Sequence, residues 1–310
     1  MYCVEPTIGP PLWRCRCVSS VPSVHSAQQR AVSHVTALSN GGPINQTLPV
    51  TMNFHPDRMA GDVLILEAMA RDGSYRSQFE TGTGNGGLTA HPGGDRWSWE
   101  SRIFGGAYDR VPVAERPKYG SLNFRRRAVG GSPRFGSAHL RLASTVLART
   151  TFCYPDSVFE PTSFGVASRM SLVALAEADD KDLLDDYIEA QVHGPLVLDR
   201  DVDALVLDPC FRGTEVERAA RMLPCAVEWH GGFRLSIDDL RRHPDYRGPE
   251  YVELGVSLAG NGFLDPAVIG TALRTGRYDQ QSLKRVWHYL ARFGSPAEVS
   301  REPGSRRASR

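Results

Sequence analysis

Around residues 187–195 polar and apolar positions alternate. Glu189, Gln191 and His193 fall on one face of a period-two strand, and Ile188, Ala190 and Val192 on the other. The apolar face predicts a strand laid on a core. The polar face is either a lined functional surface or the solvent side of an edge strand. Similar short runs predict strands at 50–55, stopped by Pro56, and at 121–126, 138–142, 146–152, 204–207 and 226–229. Helical periodicity predicts helices at 63–71, closed by Asp72-Gly73, and at 170–178, 180–187, 213–223, 236–243, 266–273 and 280–293.

The ends read differently. Residues 1–49 mix Pro, Ser and Gly and predict a flexible tail with one docking helix at 26–38, where Ala27, Ala31, Val35 and Leu38 share a face. Residues 295–310 are rich in Ser, Arg, Pro and Glu and predict a disordered tail. Between them, 50–294 predicts a single mixed α/β catalytic domain. Within it, 81–106 is Gly-rich and irregular, with Trp97, Trp99 and Phe104 embedded, the texture of a functional loop.

Composition narrows the classes. With 36 Lys and Arg against 35 Asp and Glu, the net charge of +1 supplies no field that draws the chain to nucleic acid or an anionic membrane. The Arg125-Arg126-Arg127 run is a local patch or a solvated turn. Six cysteines show no CxxC pair or regular spacing, which argues against a zinc site or disulfide framework and for a reducing compartment. No apolar run approaches the ~20 residues of a membrane span, and no signal-peptide core is present. HExxH, GxSxG and Walker A patterns are missing, and no GxGxxG opens a helix directly after a strand, so metalloprotease, serine-hydrolase and familiar phosphate-loop chemistry are disfavoured.

Four constellations carry candidate chemistry. Pro56 ends a strand so that His55 and Arg58 can face one pocket, where imidazole and guanidinium suit nucleotide hydroxyls and phosphates. The run 78–87 interleaves Gln78, Glu80, Thr81, Thr83 and Asn85 with glycines that let backbone N–H groups approach a ligand. Tyr119 leads into an extended segment from which its ring can stack on a planar ligand. The polar face of Glu189, Gln191 and His193 is the fourth. Cys210 is a weaker nucleophile candidate.

The motifs Phe79-Glu80-Thr81-Gly82-Thr83-Gly84-Asn85-Gly86-Gly87, Glu115-Arg116-Pro117-Lys118-Tyr119-Gly120 and Ile188-Glu189-Ala190-Gln191-Val192-His193-Gly194 resemble a bacterial family catalogued as a domain of unknown function. More loosely, the chain resembles the ADP-ribosyltransferase superfamily, which includes bacterial effectors that modify a threonine of ubiquitin. That resemblance implies an α+β fold with a split, mostly antiparallel sheet and added helices. It also implies NAD as substrate, no metal, and transfer of ADP-ribose to a protein side chain.

By position, the resemblance assigns ribose binding to His55 with Arg58, nicotinamide stacking to Tyr119 and stabilisation of the ribosyl cation to Glu189. Glu80-Thr81-Gly82-Thr83 approximates the family's Ser-Thr-Ser strand. Glu-x-Gln stands where Glu-x-Glu or Gln-x-Glu is usual, so the catalytic position falls on Glu189 or on Gln191. Ubiquitin or a bacterial protein is the implied acceptor. The expected location is the cytoplasm, or a host cytosol if the chain is a toxin-like effector exported without a classical signal peptide. Two other readings remain: a nucleotide-binding module without catalysis, and a metal-independent hydrolase using His55, His193 or Cys210.

Overall fold

The computed structural model describes residues 26–82 and 89–296. Eight strands form its main sheet: β1 (Val50–Phe54), β2 (Lys118–Leu122), β3 (Ala138–Leu142), β4 (Thr150–Tyr154), β5 (Ser163–Val166), β6 (Ile188–Val192), β7 (Val202–Leu207) and β8 (Ala226–Trp229). Their spatial order is β8-β7-β3-β1-β2-β6-β4-β5. All neighbours are antiparallel except β7 and β8. The architecture is thus the mixed, mostly antiparallel fold that the resemblance implies.

The sheet opens between β1 and β2. These strands share only the pairs Val50 with Leu122 and Thr51 with Ser121. Beyond them β1 continues against β3 alone, while Gly120, Tyr119 and Lys118 continue against β6 alone. Gly120 sits where the two strands part. A Cβ there would meet the Thr51 carbonyl oxygen at 2.6 Å, so only glycine admits this approach.

Each face is set by the alternation. Val50, Met52, Phe54, Leu122, Leu140, Phe152, Ile188, Ala190 and Val192 enter one core, covered by helices α2 (Ile65–Asp72), α4 (Leu172–Glu177) and α5 (Glu215–Ala220). The opposite face carries Thr51, Asn53, Ser121, Thr151, Glu189 and Gln191, and these are buried too. On the β2-β6-β4 half they lie beneath α1 (Ala27–Leu38) and α3 (Asp95–Ile103), whose Ala27, Ala31, Val35, Trp99 and Ile103 cluster with Cys153 and Val166. Ser26 and Gln29 close a reciprocal capping box at the start of α1. Leu38, expected on its packed face, is exposed.

The last helices, α6 (Ile237–Arg241), α7 (Pro249–Leu258), α8 (Pro266–Arg274) and α9 (Gln280–Phe293), share a separate core built around Leu240, Val252, Ile269, Leu283 and Leu290. Trp287 ties that layer to the sheet. Its Nε1 donates to the carbonyls of Pro133 at 3.2 Å and Arg134 at 3.0 Å.

Several local expectations give way to tertiary pairing. The strand expected at 121–126 lies at Lys118–Leu122, because β6 pairs with that segment. Beyond it Asn123 exchanges two 2.9 Å hydrogen bonds with the Arg127 backbone and turns the chain. Residues Ser144–Arg149 form a 3-10 helix, which moves the next strand to Thr150–Tyr154. No helix forms at 180–187: Asp182 caps a turn by accepting from the Leu184 N–H. Within the expected loop, Asp95–Ile103 is a helix, with Thr89 Oγ1 accepting from Asp95 N at 2.9 Å. Periodicity gave no warning of Ser163–Val166 or Pro249–Leu258.

Candidate active site

A cleft of about 60 Å3 lies at the split of the sheet. Asn53 comes to it from β1, Tyr119 and Gly120 from β2, Glu189 from β6 and Arg96 from α3. Asp156 and Val158, in the turn after β4, together with Tyr75, Gln78, Ser132, Phe135 and Tyr187, complete its walls. That exceeds the ~10–15 Å3 needed to admit a water and is well below the ~150 Å3 of a cavity that holds a benzene ring, so it can take only part of a larger ligand.

Glu189 is held on both oxygens. Oε1 accepts from Gln191 Nε2 at 2.9 Å, and Oε2 accepts from Ser157 Oγ at 2.7 Å. Arg96 Nη1 donates to the same Ser157 hydroxyl at 2.8 Å and stands 3.7 Å from Glu189 Oε1. The Arg96 guanidinium lies 4.1 Å over the Tyr119 ring, a cation-π contact that covers one face of the aromatic. Tyr119 Oη donates to Glu100 Oε1 at 2.7 Å, and Glu100 is paired with the fully buried Arg116. Buried polar atoms without a hydrogen-bond partner among the described residues include Arg96 Nε and Gln78 Oε1, both on residues that line the cleft.

The charges are coupled. Burial, and then the charge of Asp156, raises the Glu189 pKa, while Arg96 works against the rise. At Asp156 burial pushes the same way, but hydrogen bonds from Glu189 and Tyr187 and from the Val158 N–H outweigh it and leave the pKa lowered. Asp156 is therefore the ionised member of the pair. Glu189 is the one that takes up a proton, at a pH above the ordinary carboxylate range. Raised carboxyls in clefts are a mark of functional positions.

The sequence matches the family described as Protein of unknown function (DUF3626) over residues 49–177 and 163–293, most of the chain. The chain belongs to that family. No curated protein matches it. Among solved structures, it is similar to Thermus sp. 2.9 DarT in complex with NAD+, at 13% identity and a TM-score of 0.35 over 60% of this chain and 96% of that one.

In this DUF3626 chain, the structure brings Tyr119 and Glu189 together in the cleft and leaves other predicted residues outside it. Gln191 does not line the cleft. It is fully buried behind Glu189, its amide oxygen accepting from Thr151 Oγ1 at 2.8 Å while its NH2 faces the carboxylate. Of the two residues, Glu189 lines the cleft and Gln191 does not. His55 packs edge-on against Trp287 at 4.8 Å, with its pKa lowered to about 3 by burial and by Arg58. Arg58 belongs to the turn after β1, where its carbonyl accepts from the Ile65 N–H. Neither lines the cleft, because β1 ends at Phe54 and Pro56 carries the chain toward the C-terminal helices.

Glu80 caps its own short helix by accepting from Ser77 N at 2.7 Å, and Thr81 bonds back to the same turn, so neither side chain lines the cleft, although Gln78 does. Thr83 and Asn85 lie outside the described residues. His193 is buried beneath α3 and the following turn, and burial lowers its pKa to about 3. Cys210 lines a different surface cavity, and burial, followed by Asp208, raises its thiol pKa. Both trends weaken the hydrolase reading.

Arg96, Asp156, Ser157 and Tyr187 were not singled out by sequence. A signal for Arg96 existed: Arg96, Trp99, Glu100 and Ile103 follow helical spacing, and all four are buried. The surrounding glycines masked it. Asp156 and Ser157 follow a strand in an ordinary-looking turn, and only the fold sets them against Glu189.

Proposed function

We propose that this protein is an ADP-ribosyltransferase that cleaves the nicotinamide glycosidic bond of NAD and transfers ADP-ribose to a protein side chain. The observation that carries the reading is the Glu189 carboxylate. It is buried, fixed on both oxygens, and set at the split of the sheet beside an aromatic ring and a guanidinium. Breaking the bond between ribose C1′ and the nicotinamide nitrogen builds positive charge on the sugar and releases neutral nicotinamide. A preorganised carboxylate in a water-poor cleft stabilises that charge far more than one in bulk solvent. An acceptor heteroatom then bonds to C1′ and gives its proton to solvent.

The residues present fit such a substrate. The cleft lies at the split of the sheet, Tyr119 offers aromatic surface in it, and the Arg96 guanidinium stands beside the carboxylate. Arg96 also favours the ionised form of Glu189. The acceptor proposed is a protein side chain, a threonine of ubiquitin being the specific candidate from the family resemblance. Among the described residues no group of three or more His, Cys, Asp or Glu is placed to hold a metal ion, and no helix is long and apolar enough to cross a membrane.

The test is release of free nicotinamide from NAD by the purified chain, with and without ubiquitin or cell lysate, beside Glu189→Ala. Release that vanishes in the variant, with a labelled acceptor band, supports the transferase. NAD binding with no release by the folded wild type under any condition removes the reading in favour of a nucleotide-binding module.

A further inference from the structure

Behind Glu189 runs an unbroken series of buried hydrogen bonds across the covered sheet face. Gln191 Nε2 lies 2.9 Å from Glu189 Oε1, and Gln191 Oε1 lies 2.8 Å from Thr151 Oγ1. Thr151 Oγ1 is 2.9 Å from His193 Nε2, and His193 Nδ1 is 2.6 Å from the Tyr108 hydroxyl. All five residues are buried. They come from β6, β4, the residue after β6 and the turn after α3, so only the folded sheet assembles them.

The charge at one end fixes the direction of the whole series. In the ionised form, which the proposed chemistry uses, Glu189 only accepts, so the Gln191 amide presents its NH2 to Glu189 and its oxygen to Thr151. The single Thr151 proton then goes to Gln191, and the Thr151 oxygen must accept from His193 Nε2–H. A neutral imidazole protonated at Nε2 leaves Nδ1 bare to accept from Tyr108. Burial, then Arg149 and Lys118, keeps His193 neutral, so the ring has a single proton to place. The ring is gripped as well: Tyr108 stacks parallel to it at 5.8 Å and Phe104 meets it edge-on at 5.1 Å.

We propose that Tyr108, His193, Thr151 and Gln191 are positioning residues for Glu189, a one-way donor chain that starts at the Tyr108 hydroxyl and ends on the Glu189 carboxylate. The proposal rests on the reading of Glu189 as the carboxylate of NAD cleavage. It explains why Gln follows Glu at spacing two: the amide orients the carboxylate instead of facing the substrate. A network that merely satisfied buried polar groups would run in the same direction but would not couple Thr151 to the behaviour of Glu189.

The test compares full-length wild type with Thr151→Val, which keeps the β-branched shape and removes the hydroxyl, and Thr151→Ser, which keeps it. Tyr108→Phe serves as a second break if Thr151→Val fails to fold. Loss of one link is expected to lower kcat for nicotinamide release about tenfold, the scale of one buried hydrogen bond, with KM for NAD unchanged. Thr151→Ser restores the rate.

Nitrogen-15 spectra of wild type are expected to show His193 protonated at Nε2. A carbon-13 titration is expected to show the Glu189 midpoint rising in Thr151→Val but not in Thr151→Ser. An Nδ1-protonated His193, or an unmoved Glu189 midpoint, overturns the proposal. Both spectroscopic arms are independent of turnover. If wild type releases no nicotinamide, the transferase reading fails on its own while the chain is still decided.

Discussion

Replacing Glu189 by Gln separates chemistry from stability, because the two should move in opposite directions. The amide is isosteric and can keep both contacts, its oxygen toward Gln191 Nε2 and its nitrogen toward Ser157 Oγ, so the cleft retains its shape. What disappears is the one negative charge that the proposed reaction sets beside the ribose. Two unit charges ~4 Å apart at an effective permittivity of ~20 interact by about 4 kcal/mol, and a half-developed cation by about 2, which corresponds to a roughly 30- to 1000-fold slower reaction.

Stability should not fall with it. Burial raises the Glu189 pKa, and a carboxyl raised on folding favours the unfolded chain once the pH exceeds its unfolded value. That cost is complete above the folded pKa and absent below the unfolded one. In mildly alkaline buffer Glu189→Gln should therefore melt at or above the wild-type temperature, and the gap should close as the pH falls into the ordinary carboxylate range. The assays are nicotinamide release at saturating NAD and calorimetry of the same samples. A folded variant that still releases nicotinamide within about threefold of wild type would refute the electrostatic argument. A variant that loses both rate and melting temperature would show that the carboxylate is structural.

Other expectations follow the same reasoning. Arg116→Met leaves Glu100 as an uncompensated buried charge, strips the guanidinium 3.3 Å over Trp97 and should cost about 3–5 kcal/mol, roughly 10 °C in melting temperature by calorimetry. The double variant Arg116→Met, Glu100→Gln should recover much of that loss. Asp57 is buried, its Oδ2 has no hydrogen bond among the described residues and Arg274 Nη1 is 3.8 Å away. Burial raises its pKa to about 6, against the pull of Arg58 and Arg274. Asp57→Asn should stabilise the protein by about 2–3 kcal/mol above that pH and by nothing below the ordinary aspartate range, as read by urea denaturation at two pH values. Because Glu189 must be ionised to act and its pKa is raised, nicotinamide release should rise with pH through a midpoint above the usual carboxylate range. A rate that is flat through the mildly acidic range would contradict that.

The sequence by itself determined the elements whose register one strand or helix can state. The alternation at Ile188, Glu189, Ala190, Gln191 and Val192 set both faces of β6, since a slip of one residue would bury the polar set in the apolar core. Helical periodicity sufficed for Ala27–Leu38 and Gln280–Phe293, and the local motifs drew attention to Tyr119 and Glu189, which both line the cleft.

Tertiary structure alone decided the rest. Whether Glu189 or Gln191 reaches the cleft depends on Thr151, forty residues away in sequence and on the adjacent strand. Arg96, Asp156 and Ser157 become site residues only because α3 and the turn after β4 converge over β6. His55 looked like a site residue because it ends β1, but the chain leaves the sheet at Pro56 and the imidazole packs on Trp287 of α9. Local pattern records which face a side chain takes. Which side chains from distant segments meet over that face is fixed by strand pairing and packing, which no single window of sequence contains.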